Sequence, residues 1–245
     1  MLTPAVLAVL GGVAGLVLGS FIGALTWRWP RGESVMRGRS RCDVCEVTLG
    51  WLELVPVLGF LWRRGRCGHC GAVIAWRHLG IELAGAGVGA LALRLVPGGP
   101  GVALAGFGLM LLALAILDVE HFWLPDRLTL PLLAGGLVFG MPPLADRLWG
   151  TGAGFAGLWL LATAYRRLRG REGLGGGDPR LLAAIGAWLG WTALPFVLLG
   201  ASLIGLLLAG LDRLRGREVA ADTALPLGSL MALAAWPVAL LQFGS

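Results

Sequence analysis

The chain has 245 residues, of which 57% are hydrophobic and only 14% are charged, and its mean hydropathy is +0.79. Soluble globular domains are about 25% charged, so this composition excludes an ordinary soluble protein and predicts an all-α polytopic membrane protein. The formal net charge is +6 and every basic residue is arginine, but the arginines lie between apolar runs and therefore indicate membrane topology rather than nucleic-acid binding.

Eight apolar runs follow one another along the chain, and most approach the roughly 20 residues that cross a bilayer. They are predicted at 4–26, 79–97, 101–118, 128–143, 149–165, 179–194, 195–211 and 225–243. One tilted helix over 179–211 is the alternative to two short ones, but Gly190 and Pro195 favour two. The stretch 2–27 has no basic residue before its apolar run and no clear cleavage site, so we expect a retained transmembrane helix rather than a signal peptide.

The arginines predict the orientation of these helices. With eight crossings, all of the 20 arginines except Arg94 and Arg147 fall on the same side of the membrane. Loops rich in arginine face the cytoplasm, so that side is predicted to be cytoplasmic and both termini to lie outside. A single crossing in 179–211 would move three arginines to the outer side, which also favours two crossings.

The only substantial soluble segment is 28–78, between the first two helices, and it contains every cysteine of the chain: Cys42, Cys45, Cys67 and Cys70. Two Cys-x2-Cys pairs separated by 21 residues match the spacing of a structural zinc site, in which each pair forms one knuckle. Four thiolates complete the coordination tetrahedron and leave no open position. We therefore expect the zinc ion to stabilise the fold of the segment rather than to take part in catalysis.

Two disulfides or four unrelated thiols are the alternatives to a metal site. A reducing cytoplasm disfavours disulfides, and the absence of any other cysteine disfavours coincidence. His69 lies between two of the cysteines and offers a substitute ligand, but we interpret it as a solvated loop residue.

Acidic residues are scarce, and two of them are predicted at similar depth on the cytoplasmic side. Asp118 ends the third apolar run and Asp178 precedes the sixth. Two nearby carboxylates in a partly dry site share one proton, so one can activate water while the other protonates the amide leaving group. The alternative is a pair of solvated helix-end acids, with Asp178 as an N-cap before Pro179.

The residues around the two aspartates predict substrate contacts. Three glycines, Gly175, Gly176 and Gly177, precede Asp178; a capping acid does not need them, whereas a site that a substrate backbone approaches closely does. Glu120, Asp126 and Glu172 lie on an otherwise arginine-rich face, and we hypothesise that they receive a basic peptide.

Five motifs in order resemble the type IV prepilin peptidases, a family of integral-membrane aspartyl proteases, and the resemblance covers nearly the whole chain. "GSFIGALTWRWP" is similar to the exit of the family's first helix, and "SRCDVC" with "RRGRCGHCGAVIAWRH" to its cytoplasmic tetracysteine region. "LDVEHFWLPDRLTLP" resembles the first aspartate motif and "GREGLGGGDPRLLAAIGAWLGW" the second, of the Gly-x-Gly-Asp type. "ALPLGSL" resembles the motif that opens the last helix.

The resemblance implies that Asp118 and Asp178 are the catalytic pair and that Asp126 is a recurrent but non-catalytic acid whose ordinary role is to cap a helix. It implies an inner-membrane enzyme with three parts: a first helix at 1–27, a zinc-binding insertion at 28–78 and a protease core at 79–245. Such enzymes remove the basic leader of type IV prepilins or of type II secretion pseudopilins, cutting after a glycine. Many then methylate the new N-terminus with S-adenosylmethionine, and the tetracysteine segment is associated with those that do both.

Two departures and two rival functions accompany this interpretation. Gly23 stands where the family usually has asparagine, which bears on methylation more than on cleavage, and "DPR" replaces the usual residues after Asp178. A peptidase without methylation is one rival. A non-enzymatic membrane transporter or assembly factor, using the two aspartates as an ion or proton site, is the other.

Overall fold

The computed structural model describes residues 2–35, 40–42, 44–170, 174–216 and 225–244. These residues are mainly helical, as the composition predicts. The α-helices within them are α1 (Pro4–Arg28), α2 (Leu58–Trp62), α3 (Trp76–Leu95), α4 (Gly99–His121), α5 (Asp126–Phe139), α6 (Leu144–Arg169), α7 (Asp178–Leu189), α8 (Leu194–Leu214) and α9 (Leu227–Gly244). Short 3-10 turns occur at Trp29–Arg31, Trp51–Leu54 and Trp191–Ala193.

Every helix except α2 corresponds to one of the eight predicted apolar runs. Five of them, α1, α3, α4, α8 and α9, are long and apolar enough to cross a membrane. The helices α5 and α7 have only 14 and 12 residues, which is shorter than a typical span. The helix α6 has 26 residues, but glycine, threonine and terminal charges dilute its apolar stretch. Length and composition therefore support several membrane spans, of which five are clear.

The first compact unit, Met1–Leu109, is organised by the pairing of α1 with α3. The two helices run antiparallel, with Gly11 of α1 against Gly89 of α3 and Gly15 against Gly85. A Cβ atom on Gly15 would lie 2.1 Å from the carbonyl oxygen of Gly85, so a larger residue would force the helices apart. Small residues at such spacing let membrane helices approach closely.

The segment between α1 and α3 contains α2 and two small knuckles. Each knuckle is closed by an isolated antiparallel bridge, Arg41 with Thr48 in the first and Arg66 with Val73 in the second. Gly71 ends the second knuckle with φ 72°, a left-handed conformation that glycine adopts at little cost. The bridges bring the two ends of each Cys-x2-Cys loop together.

The second compact unit, Met110–Ser245, is built around α7, which contacts α5, α6, α8 and α9. All α7 residues except Arg180 are buried, which explains why this short helix is apolar on every side. Its backbone lies against α6, where a Cβ atom on Gly150 would be 2.4 Å from the carbonyl oxygen of Gly186. The indole N–H of Trp188 donates to the carbonyl of Leu132 in α5 at 2.7 Å.

The run 179–211 forms two helices rather than one. The helix α7 ends at Leu189, and Gly190 turns the chain with φ 78°. After one 3-10 turn, α8 begins with Pro195 in its first turn, where its missing N–H is not needed. The interpretation based on Gly190 and Pro195 is therefore confirmed at the level of helices.

Candidate active site

Asp118 lies in the last turn of α4 and is only 5% exposed. Its Oδ2 accepts the backbone N–H of Ser229 at 2.7 Å and lies 3.0 Å from the Ser229 hydroxyl. The hydroxyl has one hydrogen to donate and a second acceptor within reach, the carbonyl oxygen of Ala115 at 2.8 Å. Gly228 adjoins the same carboxylate, because a Cβ atom there would be 3.0 Å from Asp118 Oδ2. The beginning of α9 therefore holds the Asp118 side chain in place.

Asp178 opens α7 and is 4% exposed. Its Oδ2 accepts the backbone N–H of Gly175 at 2.9 Å, and its own N–H donates to the Gly175 carbonyl at 3.2 Å. Gly177, not Asp178, precedes the helix as its N-cap. The carboxylate is thus turned back toward the glycine loop, and the alternative in which Asp178 caps α7 is wrong.

The two aspartates are brought together at one place in the second unit. Their carboxylates are close enough for the charge of Asp118 to act on Asp178. Leu124 joins the two sides, since a Cβ atom on Gly177 would be 2.7 Å from the Cβ of Leu124 and one on Gly228 would be 2.8 Å from its Cδ1. Two buried carboxylates that interact in this way have the chemistry of a proton-sharing pair.

The three glycines differ from one another in their surroundings. Gly175 donates its N–H to the Asp178 carboxylate, and a Cβ atom there would lie only 3.2 Å from Asp178 Oδ2. Gly177 is kept small by its contact with Leu124. Gly176 is exposed and would have open space around an added Cβ atom. The fold itself therefore accounts for two of the glycines, and Gly176 is the one that intramolecular packing does not explain.

The acids predicted to receive a basic peptide have separate environments. Asp126 opens α5 without capping it, so its capping interpretation is wrong, and its Oδ1 instead accepts Arg180 Nη1 at 2.6 Å. Glu120 is exposed, with its Oε2 3.9 Å from Nε2 of His121. Glu172 lies outside the residues that the structure describes.

The four cysteines form a separate cluster in the first unit. Their Sγ atoms all lie within 4.8 Å of one another, and the Cys42–Cys70 and Cys45–Cys67 pairs are each 3.9 Å apart. Zn–S bonds of about 2.3 Å in a tetrahedron place sulfurs about 3.8 Å apart, so the cluster fits such an ion. These distances are far longer than a disulfide bond of about 2.05 Å, and the four thiols are free.

His69 and the backbone beside it contribute to this cluster without a side-chain ligand. The histidine is not one of the residues grouped around the metal position in the described part of the chain. The backbone N–H groups of Cys70 and His69 lower the pKa of the Cys67 thiol to about 6. Desolvation and hydrogen bonds with the other three thiols raise the pKa of Cys45 to about 12, so the four thiols of the cluster differ in acidity.

Two side chains at the aspartate site were not singled out by the sequence. Ser229 binds Asp118 from 111 residues away, and Arg180 pairs with Asp126 from 54 residues away. The "ALPLGSL" motif drew attention to the start of α9, but not to its serine. Only the contact itself identifies the residue that faces Asp118.

Two family models match the chain. The model described as the bacterial peptidase A24 N-terminal domain matches residues 13–95, and that of the type IV leader peptidase family matches residues 105–210. No solved structure matches significantly.

Several curated proteins are similar over most of the chain, and their names agree. The Aeromonas hydrophila relative is 44% identical and aligns over 83% of this chain and 71% of its own. The Burkholderia pseudomallei (strain K96243) relative is 39% identical over 95% and 84%, and the Neisseria gonorrhoeae relative is 36% identical over 88% and 86%. All three are named prepilin leader peptidase/N-methyltransferase.

Proposed function

The chain belongs to the type IV leader peptidase family, and on that premise we propose that it is a membrane aspartyl endopeptidase that removes the basic leader of prepilins or pseudopilins. Cleavage follows a glycine at the cytoplasmic face of the bacterial inner membrane. The observation that carries the proposal is the pair of buried, interacting carboxylates of Asp118 and Asp178. Two solvated acids at helix ends would be neither buried nor held in place by hydrogen bonds from the backbone, as these two carboxylates are.

The cleavage step needs one ionised and one protonated carboxylate. Asp118 receives the backbone N–H of Ser229 and lies beside its hydroxyl, whereas Asp178 receives the N–H of Gly175. Hydrogen bonds favour an ionised acceptor, so we assign the shared proton to Asp178. Asp118 then takes a proton from a water molecule while the oxygen of that water adds to the scissile carbonyl carbon. Asp178 gives its proton to the amide nitrogen as the C–N bond breaks.

We propose that the chain crosses the membrane eight times, with three helices in addition to the five clear spans. The helices α5, α6 and α7 follow one another between α4 and α8 in the chain, and the short α7 is enclosed by its neighbours. The skewed arginine distribution supports a cytoplasmic active site. A prepilin would keep its hydrophobic helix in the membrane and present its leader at the level of the two aspartates.

Zinc is the metal that four clustered cysteines favour, since thiolates select soft ions and a closed tetrahedron suits a structural site. The cluster would hold the 28–78 insertion together, because this segment has little core of its own. It does not take part in peptide cleavage.

Methylation of the new N-terminus is the second proposed activity, with S-adenosylmethionine as the methyl donor. The names of the relatives support it, as does the intact tetracysteine cluster. A peptidase that has lost methylation remains the second candidate, because Gly23 departs from the family's pattern.

Purified protein in detergent tests both activities on a model prepilin. We expect one cut after the leader glycine and, with S-adenosylmethionine, a gain of one methyl group on the new N-terminus by mass spectrometry. Cleavage without that gain would favour the peptidase-only function. No cleavage by a folded preparation would contradict the enzymatic proposal and favour a non-enzymatic membrane protein.

A further inference from the structure

The first unit contains a cavity whose lining includes neither Asp118 nor Asp178. It measures about 400 Å³ and lies between the C-terminal end of α1, the N-terminal half of α3 and the tetracysteine segment. Ala24 and Trp27 line it from α1, and His78 and Glu82 from α3. This volume lies within the range of about 300–1,000 Å³ that is typical of small-molecule sites.

Glu82 is the unusual residue of this cavity. It is 9% exposed, on a helix whose other buried residues are apolar or glycine. Its Oε2 accepts the backbone N–H of Val57 at 2.7 Å, and among the ion pairs of the described residues it takes part in none. A buried carboxylate is costly without partners, so its place on a cavity wall points to a ligand that supplies cationic or hydroxyl groups.

The remainder of the cavity wall is mixed in character. Phe60 and several aliphatic side chains provide an apolar surface for a flat ring, whereas the Trp27 ring is already stacked with the Arg31 guanidinium at 3.6 Å. Arg28 and Arg66 also line the cavity and suit a carboxylate on the ligand. The matching ligand therefore has an aromatic ring, a carboxylate and groups that bind Glu82.

We propose that this cavity is the binding site for S-adenosylmethionine, an inference that rests on the methylation arm of the proposed function. The ligand's adenine would lie on the aromatic and aliphatic wall, its α-carboxylate near the arginines, and its ribose hydroxyls or its cationic groups against Glu82. Acidic side chains commonly bind ribose hydroxyls in nucleotide sites. The bound cofactor supplies the methyl group, while this chain's residues orient it and exclude water.

The tetracysteine cluster belongs to the same site. Cys42 and Cys67 line the cavity, as does Glu53, whose Oε2 accepts the N–H of Gly50 and whose Oε1 pairs with Arg63. A metal ion that joins the two knuckles would therefore fix one wall of the cavity. This would give the metal a role in shaping the cofactor site.

Equilibrium dialysis of radiolabelled S-adenosylmethionine against the purified full chain in detergent tests the site. Glu82→Gln should weaken binding at least about tenfold, because one hydrogen bond to a charged group is lost. The melting temperature of this variant should equal that of the wild type. Glu33→Gln is the matched control, since Glu33 is exposed and does not line the cavity. Unchanged binding by Glu82→Gln would overturn the assignment.

A second variant fills the cavity without removing a polar group. Ala24→Phe places a ring in the space, whereas Ala14→Phe makes the same change on the exposed face of α1. We expect Ala24→Phe to abolish binding and Ala14→Phe to retain it. Equal binding by both would place the cofactor elsewhere.

The same dialysis separates failure of the site from failure of the proposed function. Wild-type protein that cleaves a prepilin but binds no S-adenosylmethionine would contradict the methylation proposal, and with it this inference. If the wild-type protein binds the cofactor and both Glu82→Gln and Ala24→Phe bind it equally tightly, only the assignment of the site is contradicted.

Discussion

Ser229 donates its backbone N–H to Oδ2 of Asp118 at 2.7 Å, and its hydroxyl lies 3.0 Å from the same oxygen. The start of α9 thus orients a carboxylate that α4 carries. This relationship makes Ser229 a positioning residue for the proposed cleavage: it fixes the carboxylate and favours its ionised form without contacting the substrate.

Ser229→Ala should lower kcat for leader cleavage at least about tenfold, since a hydrogen bond to a charged group contributes about 1.5–3 kcal/mol. KM should stay within about twofold, because the substrate is not contacted. Steady-state kinetics on a model prepilin measure both constants. Ser202→Ala is the control, as that exposed hydroxyl donates only to the carbonyl of Leu198; an equal loss in both variants would argue against a specific role.

Gly177→Ala should destabilise the protein and slow cleavage. The added Cβ atom would lie 2.7 Å from the Cβ of Leu124, and relief of that overlap would shift the loop that holds Asp178. Overpacking of this kind costs about 1–3 kcal/mol, which a thermal melt detects. Gly152→Ala on α6, where the added atom meets nothing within 4 Å, should melt like the wild type. A Gly177→Ala protein with wild-type stability and kcat would contradict the packing role.

Gly176→Ala separates substrate approach from folding. The fold leaves open space for the new Cβ atom, so we expect an unchanged melting temperature. If a substrate backbone passes close to this residue, KM for leader cleavage should rise several-fold. Unchanged KM would remove Gly176 from the proposed substrate contacts.

The ion pair between Asp126 and Arg180 allows the leader-binding hypothesis to be tested. Both side chains are about half exposed, so the pair stabilises the fold by at most about 1 kcal/mol. If Asp126 receives a basic leader, Asp126→Asn should raise KM, whereas Arg180→Gln should lower it by releasing the carboxylate. Equal changes in KM in the same direction would assign the pair a purely structural role.

The joint replacement Cys42→Ser and Cys45→Ser should release the metal. Elemental analysis should find about one zinc per wild-type chain and almost none in the variant, because two of four ligands are lost. The melting temperature should fall as well. Val44→Ala, an exposed change within the same loop, should retain the ion. Full zinc content in the double serine variant would contradict a tetracysteine site.

Much of the helical architecture could be predicted from the sequence, because long apolar runs in a bilayer leave the backbone few alternatives to a helix. The eight runs, the break at Gly190 and the cysteine cluster all rest on local patterns. The burial of every α7 residue except Arg180 does not rest on a local pattern. An apolar helix against lipid and one enclosed by protein have the same composition, so only the packing of α5, α6, α8 and α9 distinguishes them.

The partners of the site residues were also beyond the sequence. Ser229 and Asp118 are 111 residues apart, and Arg180 and Asp126 are 54 apart. Such contacts depend on how helices pack rather than on spacing along the chain. The same is true of Gly177, whose motif suggests room for a substrate while its side-chain position is already taken up by Leu124.

The most direct test of the account is prepilin cleavage by Asp118→Asn and by Asp178→Asn, each purified in detergent. Either change removes one member of the proton-sharing pair, so each should reduce cleavage by at least about a thousandfold, with a melting temperature near that of the wild type. Asp146→Asn, an acid in the first turn of α6, should cleave normally. Substantial cleavage by either site variant would contradict the assignment of Asp118 and Asp178 as the catalytic pair.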